Sequence, residues 1–310
     1  SPRAEGRGVT ETRGAGDGSS SDRPNRARHD DGRRDRSRPP APEPLRVPVA
    51  DSHCHLDIAD PPDDWLDVAA ALASSGAAGV PRIVQIGCDR AGARWAVQTA
   101  QQYDAIVAGV ALHPNEAPVL AEAGELDDAL AEIDALAADP RVRAVGETGL
   151  DYFRTGGDGR QTQRASFRAH IEMAKRHGKA LVIHDRDAHA DVLATLEEVG
   201  APERVVFHCF SGDAEMARHC AERGWFLSFA GTVTFRNADS LRAALAVTPL
   251  PQLLVETDAP YLTPMPYRGR PNASYLIPLT VRAMAAVKGV DEDELATAIT
   301  ANTDRAFDPW

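Results

Sequence analysis

Residues 180–208 read ALVIHDRDAHADVLATLEEVGAPERVVFH, and the order of their parts decides the fold. Ala180-Leu181-Val182-Ile183 is a short apolar run. Asp187 to Val199 spaces its apolar residues over a polar background, as an amphipathic helix does, and Val205-Val206-Phe207 is apolar again. Strands without polar alternation are buried on both faces, so strand, helix and strand in this order indicate a parallel βα unit. The same unit recurs outward in both directions. Further apolar runs are Val47 to Ala50, Arg82 to Ile86, Ile106 to Val110, Val142 to Gly146, Trp225 to Phe229 and Leu253 to Val255, with helical stretches such as Gln161 to His177 and Asp213 to Arg223 between them. Eight candidate strands predict an α/β fold of the TIM (β/α)8 barrel type, a single domain over residues 47–310. The competing architecture is an open doubly wound sheet, but no G-x-G-x-x-G follows the first strand. Helical stretches Tyr275 to Lys288 and Asp291 to Phe307 finish the chain.

The 310 residues carry a formal charge of −12, unevenly distributed. Residues 1–50 hold 11 Arg against 8 acidic residues; the remainder holds 23 basic against 38 acidic. So acidic a body speaks against a broad basic surface for duplex phosphates, because nonspecific DNA affinity comes mainly from Lys and Arg replacing counterions. It leaves room for a small site that takes a strand end through metal ions. Residues 1–46, rich in Arg, Asp, Ser, Gly and Pro, have too little apolar surface to offset the entropy of ordering and are expected to be a disordered extension. The run Arg33-Arg34-Asp35-Arg36-Ser37-Arg38 is interrupted by acid and reads as solvated. Four cysteines, Cys54, Cys88, Cys209 and Cys220, without a C-x-x-C pair, suit a reducing compartment. With no apolar run long enough to span a bilayer, the expectation is a cytoplasmic protein, no membrane association, no obligate protein partner and a monomer.

The first strand leads into Asp51-Ser52-His53-Cys54-His55-Leu56-Asp57. In extended chain, residues i and i+2 share a face, so His53 and His55 point together and Cys54 points away. Two converging imidazoles are natural metal ligands. Four later strands also end on a ligand-type residue: Glu147, His184, His208 and Asp258. In a barrel these ends share one rim, the face where such folds build active sites. One polar strand end is ordinary. Six ligand types at the ends of five strands are a constellation, and a carboxylate such as Glu147 is suited to bridging two ions about 3.5–4 Å apart.

Six stretches carry a resemblance to a known family: Asp51 to Asp57; Leu112-His113-Pro114; Gly146-Glu147-Thr148-Gly149-Leu150-Asp151-Tyr152; Ile183-His184-Asp185-Arg186-Asp187-Ala188; Phe207-His208-Cys209-Phe210-Ser211-Gly212; and Val255-Glu256-Thr257-Asp258-Ala259-Pro260-Tyr261-Leu262. In this order, spread from about Val49 to Phe307, they resemble the TatD family of metal-dependent deoxyribonucleases within the amidohydrolase-like barrels. The resemblance implies two divalent ions, Mg2+, Mn2+ or Zn2+: His53, His55 and Asp258 on one, His184 and His208 on the other, Glu147 bridging. Asp258 would orient or deprotonate the attacking water, and His113 would contact the scissile phosphate or leaving oxygen. Arg186, Tyr261, Arg268 and Arg270 are the expected substrate contacts, and the implied partner is DNA, trimmed from single-stranded ends.

The sequence departs from the family in the loop after Asp258, where Arg-Asn-Glu-Pro is common and Arg268-Gly269-Arg270-Pro271-Asn272-Ala273-Ser274-Tyr275 stands here. The two arginines remain available to phosphate oxygens. Asp185 reads either as a partner of a ligand histidine or as a solvated helix start. His170, His177, His189 and His219 fall on helical stretches and read as ordinary; Trp65, Trp95 and Trp225 read as anchors, and Tyr152, Phe210 and Tyr261 as the stacking candidates on the rim. Two other functions fit the same ligands: hydrolysis of a small amide, ester or lactone, and a metal-stabilised binding protein.

Overall fold

The computed structural model describes residues 35–62 and 64–310. All eight anticipated strands form: β1 Ala50–Cys54, β2 Arg82–Gly87, β3 Ile106–Val110, β4 Val142–Asp151, β5 Ala180–Arg186, β6 Val205–Phe207, β7 Phe226–Phe229 and β8 Leu253–Val255. Each pairs in parallel with the next, in sequence order, and helices lie between them, from Val68–Ala77 after β1 to Asp239–Val247 before β8. This is a nearly closed TIM-like barrel. Three strands differ usefully from the sequence reading. β1 begins at Ala50 and contains His53, β4 continues past Glu147 to Asp151, and β5 continues past His184 to Arg186. Apolar runs mark where a strand is buried, whereas pairing carries the strands on into the polar rim.

Burial on both strand faces divides the core into two layers. Val84, Ile86, Val107, Ala144, Val182, Val206, Phe226 and Leu254 form the barrel interior, capped at one end by Ala306 and Phe307 of the last helix. The alternate strand residues, among them Ile83, Ile106, Val145, Leu181, Phe207 and Val255, face the surrounding helices. With Phe307 fully buried, that end of the barrel is shut, and polar interior residues concentrate at the other end.

The seam between β1 and the chain after β8 is held by backbone and one carboxylate. Asp258 N donates to His53 O and His55 N to Ala259 O, both at 2.9 Å. Asp51, fully buried, accepts from Thr257 N (3.0 Å), Thr257 Oγ1 (2.5 Å) and Ser274 Oγ (2.7 Å).

The extension expected over residues 1–46 needs a correction. Its first 34 residues lie outside the described ones, but residues 35–46 form a strap on the barrel. Leu45 is buried, its N–H donates to Ala78 O, and Val49 N donates to Gly79 O. Gly79 has φ +87°, and a Cβ there would lie 2.8 Å from Leu45 O, so the turn accepts the strap only because it is glycine. Tyr275 Oη donates to Pro39 O, and Arg282 Nη2 to Glu43 O. Composition misleads here because the strap is held largely by arginine and tyrosine side chains more than 200 residues away, with Leu45 the one large aliphatic of its own that it buries.

Candidate metal centre

The interior layer extends by period two into the rim. From Val182 it reaches His184, from Val206 His208, from Ile86 Cys88, and from Leu254 first Glu256 and then Asp258. Glu147 falls out of step with Ala144. The pairing of β4 with β5 slips between Val145 and Thr148, and this bulge turns Glu147 inward. β1 slips against β2 between Asp51 and Cys54, the segment that carries His53. Gly149, at φ +138°, sits where a Cβ would collide with the His184 carbonyl oxygen, so β4 and β5 approach closely just beside the site. Asp258 itself has φ +55°, a strained position for a residue with a Cβ and one that recurs at functional sites.

The six proposed ligands converge. Glu147 Oε1 lies 3.4 Å from both His53 Nε2 and His55 Nε2, and Asp258 Oδ1 lies 3.6 and 3.2 Å from the same two atoms. Glu147 Oε2 faces the other way, 3.1 Å from His184 Nδ1 and 2.8 Å from His208 Nε2. The His53 and His55 rings are 5.1 Å apart, as the i, i+2 argument requires, and His53 stacks on His208 at 3.8 Å.

Neighbours fix which nitrogen each ring presents. His55 Nδ1 donates to Ile86 O at 2.9 Å, His208 Nδ1 to Glu256 Oε1 at 3.1 Å and His184 Nε2 to Asp151 Oδ2 at 3.1 Å. The opposite nitrogen of each ring is turned toward Glu147 and would give up its proton to a bound cation, the arrangement found around metal-binding histidines. Glu256 and Asp151 were missed in the sequence, although both stand at even spacing from assigned ligands and share their face.

The residues fit a metal. His53 is fully buried, yet neither of its ring nitrogens has a hydrogen-bond partner, and Nε2 points into the space bounded by Glu147 and Asp258. Such a group is costly to bury unless something binds it. Charge leads to the same conclusion. Burial opposes a charged Glu147, but His208, His53 and His184 outweigh it and hold its carboxyl well below the usual range. Burial likewise opposes charge on His208, and Glu147 and Glu256 override it, keeping the imidazole protonated well above its ordinary value. This nest of carboxylates demands positive charge, which a cation supplies in place of those protons. Three groups have ligand atoms spaced as an ion site requires: His53, His55 and Glu147; His53, His208 and Glu256; and His113, Glu147 and His184.

His113 sits 3.8 Å from Glu147 Oε2, but its Nδ1 accepts the Asn115 backbone N–H at 3.1 Å. Burial lowers its pKa to about 4, so the ring is neutral and Nε2 carries the proton. That makes Nε2–H a donor toward a substrate oxygen. His170 is more than an ordinary helix histidine: it is fully buried, donates from Nδ1 to Ser166 O and accepts the Leu112 N–H at 3.0 Å, fixing the β3 end that bears His113. Cys88 Sγ lies 3.2 Å from Glu147 Oε1, a contact that nothing in its sequence surroundings announced.

The substrate side agrees only in part with expectation. Tyr261 is exposed at the rim. Arg186 is exposed and stacks on Phe153 at 3.8 Å; Arg268 lies over Phe235 at 4.1 Å. Arg270 is engaged elsewhere, in an ion pair with Asp35 at 3.2 Å and hydrogen bonds to Ser37 O, Ser37 Oγ and Arg38 O. Of the stacking candidates, Phe210 is buried, and Tyr152 donates to Asp191 under the Arg160 guanidinium. Phe153, 62% exposed, is the open ring on that side. Trp65 is half exposed and is no anchor, while Trp225 is buried as expected. Asp185 accepts from His189 Nδ1 at 2.7 Å with its side chain buried, so it is neither the partner of a ligand histidine nor a solvated helix start.

A TIM-like barrel with buried histidines and carboxylates converging at its open rim defines a metal-dependent hydrolase. Residues 50–308 match the family described as "TatD related DNase", and the chain belongs to the TatD family. It is 46% identical over 264 residues to the "Uncharacterized metal-dependent hydrolase TatD" of Mycobacterium tuberculosis, covering 84% of this chain and 97% of that one. It is 38% identical over 264 residues to the metal-dependent hydrolase YcfH of Escherichia coli, covering 84% and 95%. Among solved structures, YjjV, a TatD homologue from Escherichia coli, superposes with a TM-score of 0.76 at 27% identity over 84% of this chain and 98% of that one. Among the described residues, no helix is long and apolar enough to cross a membrane.

Proposed function

We propose that the protein is a phosphodiesterase that shortens single-stranded DNA from an end, with two divalent cations, Mg2+, Mn2+ or Zn2+, held about Glu147. The observation that carries this reading is the division of the Glu147 carboxylate, one oxygen toward His53 and His55 and the other toward His184 and His208. Asp258 completes the first set. Cations held there would neutralise phosphoryl oxygens and make water a better nucleophile near neutral pH. Asp258, beside the imidazoles of His53 and His55, orients the attacking water and accepts its proton. His113 Nε2–H donates to the oxygen that leaves as the phosphorus–oxygen bond breaks. Arg186, Tyr261 and Arg268 meet the chain on either side. The family's description as a DNase supports the substrate class. The acidic body supports an end over a duplex, since contact then rests on the cations and a few arginines.

The test uses 3′-labelled and 5′-labelled single strands with protein loaded in turn with each of the three metals, alongside a panel of p-nitrophenyl esters. One label is released progressively, and Glu147→Ala or Asp258→Ala abolishes release with an unchanged circular dichroism spectrum. Intact strands with every metal, or hydrolysis confined to esters, would overturn the reading.

A further inference from the structure

Beside the metal centre lies a cleft of about 320 Å³, walled by Pro260, Tyr261 and Leu262, which follow Asp258 directly, by Phe235 and Arg268, and by Arg36 from the strap. A narrower crevice lined by His55, Ala259 and Arg38 shares Asp60, Pro260 and Pro271 with this cleft, so the two adjoin, with His55 on the wall of one and Arg36 of the strap on the wall of the other. The arginines along it are in different states. Arg270 is bound to Asp35, Ser37 and the Arg38 carbonyl, and Arg38 pairs with Asp64 at 3.2 Å. Arg36 and Arg268 are exposed, and among the described residues neither forms an ion pair or donates a hydrogen bond from its guanidinium; Arg268 has only the Phe235 ring beneath it. Asp60, also on the lining, offsets one of the two charges and leaves the cleft net positive.

We propose that the strap completes a second subsite, in which Arg36 and Arg268 together hold a phosphate of the substrate chain beyond the one at the metal centre. The chemistry is that of guanidinium forks on phosphate oxygens. Two guanidiniums without a partner among the described residues repel each other across one cleft until an anion lies between them, and a cleft whose wall follows Asp258 directly and adjoins the crevice at His55 is placed to admit an anion attached to the same chain. Arg270 is the anchor. By fastening Asp35, Ser37 and Arg38 it sets Arg36 over the cleft. The strap precedes residue 50, where the match to the family begins, so this subsite is added to the barrel from outside it. The subsite rests on the phosphodiesterase reading and narrows it to substrates with at least two phosphates.

Steady-state rates on a single-stranded tetranucleotide and on bis(p-nitrophenyl) phosphate, which has one phosphate, test the subsite. Arg36→Ala and Arg268→Ala are each expected to lower the ratio of the two kcat/KM values about tenfold, through the KM of the tetranucleotide. Each should also reduce the salt dependence of that KM by about one counterion. Arg36→Ala/Arg268→Ala should lose less than the product of the single losses, because both side chains hold one phosphate. A wild-type enzyme that cleaves both substrates while Arg36→Ala keeps the wild-type ratio and salt slope removes the subsite alone. A wild type that cleaves neither removes the phosphodiesterase reading, and the subsite with it.

Discussion

The rim has two walls built in opposite ways. The histidine wall stands on strands or directly at their ends: His184, His208, Glu256 and Asp258 continue the period of the barrel interior, His184 being held by Asp151 of the neighbouring β4 and His208 by Glu256 just after β8. The arginine wall is carried on the loop after β8 and on the strap, and its geometry depends on contacts such as Arg270 to Ser37, 233 residues apart. The difference teaches where precision resides. Chemistry that tolerates little displacement sits on hydrogen-bonded strands, while recognition of a flexible chain is left to side chains on loops.

The sharpest way to break this comparison is at Glu256. If the histidine wall works through fixed ring orientation, Glu256→Gln weakens it without removing any ligand, because an amide holds His208 Nδ1 less firmly and without charge. Metal affinity or activity should fall about 10- to 100-fold. Metal titration by calorimetry on the wild type and variant checks it; equal affinity and rate would mean that His208 needs no such support.

The same contrast explains what was legible in the sequence. The barrel and the ligands His53, His55, His184, His208 and Asp258 stand at strand ends, where an apolar run gives way to a polar side chain, and a linear reading sees that boundary. Glu256 shares the signal but stands two residues before Asp258, and Asp151 stands four residues past Glu147, in the part of β4 that runs on beyond its apolar stretch. His170 was passed over because its role depends on Leu112, 58 residues away. The strap and the state of Arg270 were out of reach for the same reason: composition reports what a segment can bury, and these contacts are made by partners from the far end of the chain.

His170 offers a smaller test, of how firmly the histidine wall is tied to the core. Burial lowers its pKa to about 4, below the ordinary 6.5, so the folded state holds it neutral while the unfolded chain takes up a proton. The stability it contributes is present above pH 6.5 and is lost as pH falls toward 4. Between pH 7 and pH 5 this amounts to about 2 kcal/mol. Urea unfolding of His170→Leu should show a shallower loss on acidification by that amount, on top of the cost of leaving the Leu112 N–H unpaired. An unchanged pH slope would show that the ring is not buried neutral.

The smallest effect is expected on the arginine wall, at Arg270, and it separates two roles that the same residue could have. A phosphate ligand and a strap anchor both lose something when the guanidinium is removed, but different measurements detect the loss. As an anchor, Arg270→Ala frees residues 35–38, so their backbone amides exchange hydrogen faster while those of the barrel strands do not, and the melting temperature falls by only about 2 °C. Metal affinity stays at the wild-type value, because the strap touches no ligand. The KM for a tetranucleotide rises less than in Arg36→Ala, since Arg36 remains present but is no longer held over the cleft. As a direct phosphate ligand, Arg270→Ala would instead match Arg36→Ala in KM and salt slope with unchanged exchange in the strap. The four bonds from Arg270 to Asp35, Ser37 and Arg38 favour the first outcome, because a guanidinium so occupied has few donors left for a substrate.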